Sequence, residues 1–193
     1  MAIKVFADGA NLEGMLDMYE NGNVQGFTTN PSLMKKGGVT DYRAFAKEVL
    51  AHITDVSVSF EVFADDVETM EVEAREIATW AENVYVKIPC VTTKGESTAE
   101  LVRKLSADGI KVNVTLIFSL ERYEQVIDAY IEGIAQAAAN GHDLKHIGSV
   151  ASFFVSRVDS AVDKLLEANG SDEAKALEGK AAVANARLAY ELF

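Results

Sequence analysis

A lysine in the middle of an apolar stretch is the first residue of this sequence that could do chemistry. Lys87 lies within residues 83–91, NVYVKIPCV, where Val84, Val86 and Ile88 alternate with other side chains and predict a β-strand. A lysine on such a strand either extends its ammonium group to water or is buried. A buried amine loses its charge readily and can attack a carbonyl to form a Schiff base. The stretch alone leaves both interpretations open, a solvent-facing lysine on an edge strand and a catalytic nucleophile.

The elements that must position this lysine alternate regularly along the chain. Predicted strands begin near residues 3, 24, 57, 83, 111 and 147, and each is followed by a segment with helical spacing of apolar residues. The last helix is predicted to begin at the capping residue Ser171 and to continue to Phe193. This alternation predicts an α/β fold with a parallel sheet, either doubly wound or closed as a barrel. No linker divides the sequence, so we expect a single domain over residues 1–193.

Alternation along the strands separates a face that packs on helices from a face that points toward a barrel axis. In the fifth strand the expected helix-packing residues are Val112, Val114 and Leu116, and the expected inner residues are Asn113, Thr115 and Ile117. Over all strands, the polar residues expected on the inner face near the carboxyl ends are Asp8, Glu61, Lys87, Asn113, Thr115 and Ser152. Asn30 follows the second strand directly. Parallel α/β proteins build their sites at these ends, so we expect one site there.

Each of these polar residues also has an ordinary structural interpretation. Asp8 could cap a helix, Asn30 could belong to the turn before Pro31, and Thr115 could be a plain strand former. Glu61 could be a paired or exposed carboxylate. Polar groups at the same end of so many strands are better explained by a site. One amine, two carboxylates and several hydroxyl and amide groups suit proton transfers around a covalent imine.

The composition argues against several other classes of protein. A net charge of −12 with no compensating basic patch argues against nucleic-acid binding. No apolar run has membrane-spanning length and no signal peptide is recognisable, so we expect no membrane association. The single cysteine, Cys90, fits a reducing compartment and a cytoplasmic location. The phosphate-binding patterns GxGxxG and GxxxxGKS/T are absent and the three histidines are scattered, so we expect neither a nucleotide cofactor nor a metal.

Six segments of the sequence resemble the transaldolase family, including its short fructose-6-phosphate aldolase-like members. In chain order they are FADG (6–9), GFTTNPSLM (26–34), SFEVFAD (59–65), NVYVKIP (83–89), GIKVNVTLIFS (109–119) and SVASFFVSRVD (149–159). They span nearly the whole sequence in the family's order, and TTNP followed by VKIP and NVT is a specific combination. The first part, up to about Asn113, is similar to the compact members, and the later part is similar to the longer bacterial transaldolases.

The resemblance implies a (β/α)8 TIM barrel whose Schiff-base lysine, on the fourth strand, is Lys87. The implied catalytic roles are acid/base chemistry at a substrate hydroxyl for Asp8, proton transfer through a water for Glu61, and positioning of that water for Thr115. The implied substrate contacts are Asn30 with the dihydroxyacetone hydroxyls and Arg157, in an SxxxxR pattern, with the phosphate. Asn113 and Ser152 are expected to bind the substrate as well. The resemblance implies neither a metal nor an organic cofactor, because the imine itself would serve as the electron sink.

The sequence departs from the family at its end. Only six β/α units are evident, and the last two strands of the family, with a further phosphate-binding serine and arginine, have no counterpart. Six strands do not close the usual barrel, and an open parallel sheet leaves two edges unpaired. We therefore expect a barrel domain that is incomplete at its C-terminus. The sequence is a fragment, or a partner chain such as a second copy completes it, or the remaining helices cover the gap.

The resemblance predicts an enzyme of the pentose phosphate pathway that transfers a dihydroxyacetone unit between sugar phosphates. The expected donors are sedoheptulose 7-phosphate and fructose 6-phosphate, and the expected acceptors are glyceraldehyde 3-phosphate and erythrose 4-phosphate. The carboxylate at Glu61 favours transfer over simple aldol cleavage. Two alternatives stay open, a fructose-6-phosphate aldolase that releases dihydroxyacetone and an inactive, truncated homologue.

Overall fold

One parallel sheet of six strands organises the molecule, whose computed structural model describes residues 3–192. The strands are β1 (Phe6–Asp8), β2 (Gly26–Thr28), β3 (Ser57–Glu61), β4 (Val84–Pro89), β5 (Val112–Ile117) and β6 (Ser149–Phe153). Each strand pairs with the next one in the chain, so the order in the sheet is the order in the sequence. A doubly wound sheet would reverse its order at a switch point. The sheet is instead wound in one direction as in a (β/α)8 barrel, and the predicted fold class is confirmed.

Helices connect the strands and cover one face of the sheet. They are α1 (Leu12–Glu20), α2 (Pro31–Lys36), α3 (Tyr42–His52), α4 (Val67–Ala78), α5 (Ala99–Ala107), α6 (Leu120–Ala139), α7 (Ser156–Asn169), α8 (Asp172–Lys175) and α9 (Ala181–Leu192), with a 3₁₀ turn at Leu144–His146. The helices α1, α2, α3, α4, α6 and α8 begin at side chains that accept a backbone N–H of the first turn: Asn11, Asn30, Asp41, Asp66, Ser119 and Ser171. These caps accept backbone N–H groups that have no partner within the first turn of a helix, and they fix the residue at which each helix begins.

The hydrophobic core lies between the sheet and these helices. The strands contribute buried side chains at every second position, for example Val58 and Phe60 of β3 and Val86 and Ile88 of β4. Helix α5 contributes Leu101, Val102 and Leu105, which are at most 1% exposed. Burial of this face leaves the opposite side chains of the strands to point away from the helices, toward the position of a barrel axis.

The faces of β5 differ from the predicted alternation near its end. Leu116, expected against the helices, lines the cavity at the carboxyl ends of the strands, whereas Ile117, expected on the inner face, is fully buried in the core. A β-bulge between Val114 and Ile117 causes the difference, because it adds one residue to β5 and reverses the alternation beyond it.

The predicted C-terminal helix is two helices. Ser171 does cap a helix, but that helix ends at Lys175, and α9 begins at Ala181 after a turn in which Gly179 has a φ of +68°. Two carboxylates of α7 hold this turn: Asp163 accepts the N–H of Gly179 and Asp159 accepts the N–H of Ala182. The prediction of one continuous helix was wrong, and its expected end at Phe193 lies outside the described residues.

Candidate active site

A cavity of about 890 Å³ opens at the carboxyl ends of the strands. Its lining includes Asp8, Thr28, Asn30, Glu61, Lys87, Thr115, Leu116, Ser152 and Arg157. Seven of the eight residues predicted for the site therefore lie around one space, contributed by all six strands or by the segments that follow them. The eighth, Asn113, lies beneath the cavity and is fully buried.

Lys87 reaches this cavity from the middle of the sheet. Strand β4 is flanked by β3 and β5, and its apolar neighbours Val86 and Ile88 point into the core, so the lysine side chain points the other way. The side chain is 9% exposed, and Nζ lies 3.3 Å from Glu61 Oε2. The same nitrogen donates to the carbonyl of Thr29 at 3.3 Å. The lysine is therefore not a solvent-facing residue of an edge strand, the ordinary alternative that its sequence allowed.

Glu61 stands beside Lys87 because the two residues are paired in the register of β3 and β4. Its side chain is 13% exposed. Burial raises the pKa of the Glu61 carboxyl, and the charges of Lys87 and Arg157 act in the opposite direction. The backbone carbonyl of Glu61 accepts the buried hydroxyl of Tyr42 at 2.9 Å, which anchors the end of β3.

Asp8 and Asn30 form the side of the cavity next to β1 and β2. The Asp8 carboxylate accepts the hydroxyl of Thr28, its partner in the register of the two strands. Asn30 caps α2 through Oδ1, which accepts the N–H of Leu33 at 2.9 Å. Its amide NH₂ is the group that Asn30 can offer to a ligand in the cavity.

A chain of hydrogen bonds links β3, β5 and β6 under the cavity. Asn113 Nδ2 donates to Ser59 Oγ at 3.0 Å, and Ser152 Oγ donates to Asn113 Oδ1 at 2.9 Å. Ser152 lines the cavity, whereas Asn113 supports it from below. This arrangement fixes the Ser152 hydroxyl oxygen as an acceptor for a ligand group.

Thr115 presents a hydroxyl that no group in the described part of the protein engages. The residue is 1% exposed, and Oγ1 is buried without a hydrogen-bond partner. A buried polar atom of this kind carries an energetic penalty unless a water or a ligand satisfies it. Because Thr115 lines the cavity, such a partner would lie within it.

Arg157 supplies positive charge at the cavity entrance. It lies in the first turn of α7, where the helix dipole also favours an anion. Its guanidinium lies 4.7 Å from the centroid of the Phe154 ring, which holds the planar group against the end of β6.

The sequence-based prediction missed Thr28 and Leu116 among the cavity residues. Thr28 lies beside Asp8 because of the register between β1 and β2, which the sequence alone does not specify. No group of three or more His, Cys, Asp or Glu side chains within residues 3–192 is arranged to hold a metal. In the same part of the chain, the structure has no helix of the length and hydropathy that crossing a membrane requires.

Fold and site together define a class: a barrel-type parallel sheet that carries a buried lysine–carboxylate pair at its carboxyl ends. Comparison with known proteins places the chain within that class. Residues 5–193 match the family described as Transaldolase/Fructose-6-phosphate aldolase. A relative named Transaldolase from Arthrobacter sp. (strain FB24) is 44% identical over 214 aligned positions, which cover 91% of this chain and 57% of the relative.

Two further relatives agree with this assignment. Transaldolase 1 of Streptomyces avermitilis is 41% identical over 93% of this chain and 56% of its own length. The transaldolase of Kocuria rhizophila is 51% identical over 72% of this chain and 38% of its own length. The chain belongs to the transaldolase/fructose-6-phosphate aldolase family. It spans about half the length of the curated relatives that it matches.

Proposed function

We propose that this chain carries the active site of a transaldolase, which transfers a dihydroxyacetone unit between sugar phosphates through a Schiff base on Lys87. The observation that carries the proposal is the position of Lys87 Nζ, at the cavity and 3.3 Å from Glu61 Oε2 on a side chain that is 9% exposed. The names of the relatives support the same reaction class. No cofactor takes part in the proposed reaction.

Imine formation begins with loss of a proton from Lys87. Only an uncharged amine attacks the ketose carbonyl, and Glu61 is near enough to take the proton directly or through one water. Burial raises the pKa of Glu61, which makes this carboxylate a better proton acceptor than an exposed one. The carbinolamine then loses the carbonyl oxygen as water. Protonation of that oxygen by the newly formed carboxylic acid balances the step.

Cleavage of the donor needs a base at the hydroxyl next to the scissile bond. We assign this role to Asp8, whose carboxylate is oriented by the hydroxyl of Thr28. As the proton leaves, the carbon–carbon bond breaks and its electron pair moves into the imine, which becomes an enamine. An aldose phosphate departs, and the dihydroxyacetone unit stays on Lys87. The amide of Asn30 and the hydroxyl of Ser152 would hold the hydroxyls of that unit.

Transfer is completed by the reverse steps on a second aldehyde. The enamine adds to the acceptor carbonyl, Asp8 returns its proton to the new hydroxyl, and water hydrolyses the imine. The unpartnered hydroxyl of Thr115 would hold a water for proton exchange with Glu61. Arg157 would bind the phosphate that the donor and the acceptor both carry. The proposed donors are sedoheptulose 7-phosphate and fructose 6-phosphate, with glyceraldehyde 3-phosphate and erythrose 4-phosphate as acceptors.

The proposal is tested by borohydride reduction in the presence of fructose 6-phosphate, followed by peptide mass spectrometry. We expect a reduced dihydroxyacetone adduct on Lys87 and none in Lys87→Ala. Lys111→Ala is the matched control, because Lys111 bonds to the carbonyl of Glu82 at the opposite end of the sheet. An adduct on Lys94 or Lys111, or no adduct at all, would remove the basis of the proposal.

The same protein distinguishes transfer from aldol cleavage. With fructose 6-phosphate alone, a transferase retains the dihydroxyacetone unit and turns over only when erythrose 4-phosphate is added. Continuous release of free dihydroxyacetone without an acceptor would identify a fructose-6-phosphate aldolase instead.

A further inference from the structure

Leu116 has a backbone conformation that leucine rarely adopts. Its φ is +59°, and it is the one non-glycine residue with a positive φ among residues 3–192. In this left-handed region the Cβ atom approaches the backbone, so most side chains avoid it, β-branched side chains avoid it most, and glycine and asparagine accept it. Leu116 directly follows Thr115 on β5. Strain of this kind persists only where the surrounding structure enforces it.

The strained residue belongs to the bulge in β5. Val114 is level with Ala151 and Ile117 with Phe153, so three steps along β5 match two steps along β6. Pairing resumes beyond the bulge, where the N–H of Phe154 donates to the carbonyl of Ile117 at 2.9 Å. The extra residue lets Thr115 and Leu116 both face the cavity while Ile117 returns to the core.

Cys90 on the neighbouring segment holds the bulge from the other side. Its N–H donates to the carbonyl of Thr115 at 2.9 Å, and its thiol donates to the carbonyl of Leu116 at 3.2 Å. Burial raises the pKa of this thiol, which favours the S–H form that acts as donor. Both carbonyls of the bulge are therefore engaged by one residue that follows β4, the strand of Lys87.

The Thr115 hydroxyl is the group that this geometry leaves free. It is buried, lines the cavity and has no partner within the described residues. In a regular strand the next inner position would belong to Ile117, whose apolar side chain would then occupy the space beside the hydroxyl. The bulge removes that side chain from the cavity.

We propose that Leu116, through its left-handed conformation, is a positioning residue that holds the Thr115 hydroxyl in the Lys87 cavity and keeps it free of protein partners, because it turns Ile117 into the core. Cys90 assists by holding the two carbonyls of the bulge. The catalytic use of the Thr115 hydroxyl rests on the proposed function. The geometric role of Leu116 can be tested independently of that function. A purely packing role for the Leu116 side chain is the competing explanation.

A substitution series separates backbone conformation from side-chain packing. Substitution by Gly or by Ala removes the isobutyl group, but Gly adopts a positive φ more readily than Ala does. Asn tolerates a positive φ, whereas Val does not. We expect kcat to follow this tolerance, with Leu116→Gly and Leu116→Asn near the wild-type value and Leu116→Ala lower. Leu116→Val should lose roughly 10²-fold, the scale of a displaced active-site group.

The contrast between Gly and Ala keeps the test decisive if the Val variant fails to fold. Equal kcat for Leu116→Gly and Leu116→Ala, both well below wild type, would assign Leu116 to packing and overturn the proposal. In a Thr115→Val background, Leu116→Ala should cause little further loss, because the hydroxyl that it positions is already absent. Full additivity of the two losses would also contradict the positioning role.

Crystal structures of the Gly and Ala variants provide the readout that does not depend on activity. We expect Thr115 Oγ1 to keep its position relative to Lys87 in Leu116→Gly and to move in Leu116→Ala, with a changed register between β5 and β6. An unmoved hydroxyl in both variants would overturn the inference even for an active enzyme. Absence of a borohydride adduct on wild-type Lys87 would instead count against the proposed function alone.

Discussion

Lys87 and Glu61 face each other from adjacent strands where little water can reach them. The register of β3 and β4 sets the two residues side by side, and the distance of 3.3 Å between Lys87 Nζ and Glu61 Oε2 is short enough for an ion pair. Burial disfavours the charged carboxylate, while the lysine favours it. Burial is the larger influence, so the pKa of Glu61 is raised. The protonation of the Glu61 carboxyl therefore depends on how far burial outweighs the charges of Lys87 and Arg157.

This pKa shift predicts a stability difference that depends on pH. An unfolded glutamate titrates near 4.5, and Glu61 in the folded protein titrates at higher pH. In the window between these values the folded state holds a proton that the unfolded state has released, so the free energy of unfolding of the wild type falls as pH rises. Glu61→Gln removes the titration and should gain stability relative to wild type as pH rises above about 4.5 and through that window.

Urea unfolding of both proteins across this range measures the difference. Glu124→Gln, at an exposed position of α6, is the matched control and should show no such trend. If Glu61→Gln instead loses stability relative to wild type as pH rises, the attraction of Lys87 outweighs burial.

Arg157 is the residue whose replacement should separate phosphorylated from unphosphorylated substrates. A lost charge-assisted hydrogen bond amounts to about 1.5–3 kcal/mol, which corresponds to a rise in KM of roughly 10-fold to 150-fold. We expect Arg157→Ala to show this rise with fructose 6-phosphate and almost none with dihydroxyacetone as donor. Arg157→Lys should recover part of the affinity, because it keeps the charge without the planar fork.

Steady-state kinetics with both donors provide the measurement. Arg43→Ala on α3 serves as the control, because Arg43 pairs with Glu76 of α4 and is not part of the cavity lining. An equal loss on both donors would mean that Arg157 holds the fold of β6 and α7 rather than a phosphate.

At the residue scale, strand alternation sufficed to predict which side chains share the inner face. Alternation predicted that Lys87 and Glu61 share the inner face, because successive residues of a strand point to opposite faces of the sheet. It missed Thr28, because the contact with Asp8 depends on the register between strands, which one sequence does not specify. The predicted face was wrong for Ile117, because the bulge in β5 reverses the alternation beyond it. No residue type in this segment indicates the bulge.

At the element scale, the strands and most helix starts could be predicted because their causes are local. Capping side chains such as Asn11 and Ser119 lie within three residues of the N–H groups they accept. The break between α8 and α9 has one local signal, Gly179, but the carboxylates of Asp159 and Asp163 that hold the turn come from another helix. These hydrogen bonds form only after the chain has folded. Local helix preference alone therefore predicts one continuous helix from Ser171.

Asp163 is therefore predicted to stabilise the protein through the turn before α9. Its carboxylate accepts the N–H of Gly179, so Asp163→Ala leaves that donor to water and should lower the free energy of unfolding by about 1 kcal/mol. Asp163 is not part of the cavity lining, so kcat and KM should change little. Urea unfolding with Glu167→Ala, one turn further along α7, as control gives the measurement. Equal effects of the two substitutions would show that the contact with Gly179 contributes nothing specific.

At the scale of the whole molecule, the sheet formed by residues 3–192 has two free edges. Within the described residues β1 pairs only with β2, and β6 pairs only with β5. The cavity lies between these edges, since Asp8 comes from β1 while Ser152 and Arg157 come from β6 and the helix after it. Apolar side chains are exposed beside the edges, including Val5 at 51% and Phe6 at 38%. A closed barrel would have no such edges.

The free edges predict that the 193-residue polypeptide, expressed by itself, associates with other copies and has low transfer activity. Unpaired backbone groups and exposed apolar side chains are satisfied when strands of two molecules pair, and association then increases with protein concentration. Sedimentation velocity across a concentration series, with a transfer assay on the same samples, measures both properties. A version extended by two β/α units should sediment as a smaller, homogeneous species and transfer faster.

A charged residue at the edge provides the sharper form of this test. Val5→Lys places a charge beside β1, where strand pairing between copies would bury it, so association should weaken. Val72→Lys is the matched control, because Val72 is 68% exposed on α4, the helix that connects the inner strands β3 and β4, and should leave association unchanged. A fully active monomer at every concentration would mean that six strands form a sufficient barrel. Equal effects of the two lysine substitutions would assign the association to general surface hydrophobicity instead of to the open sheet.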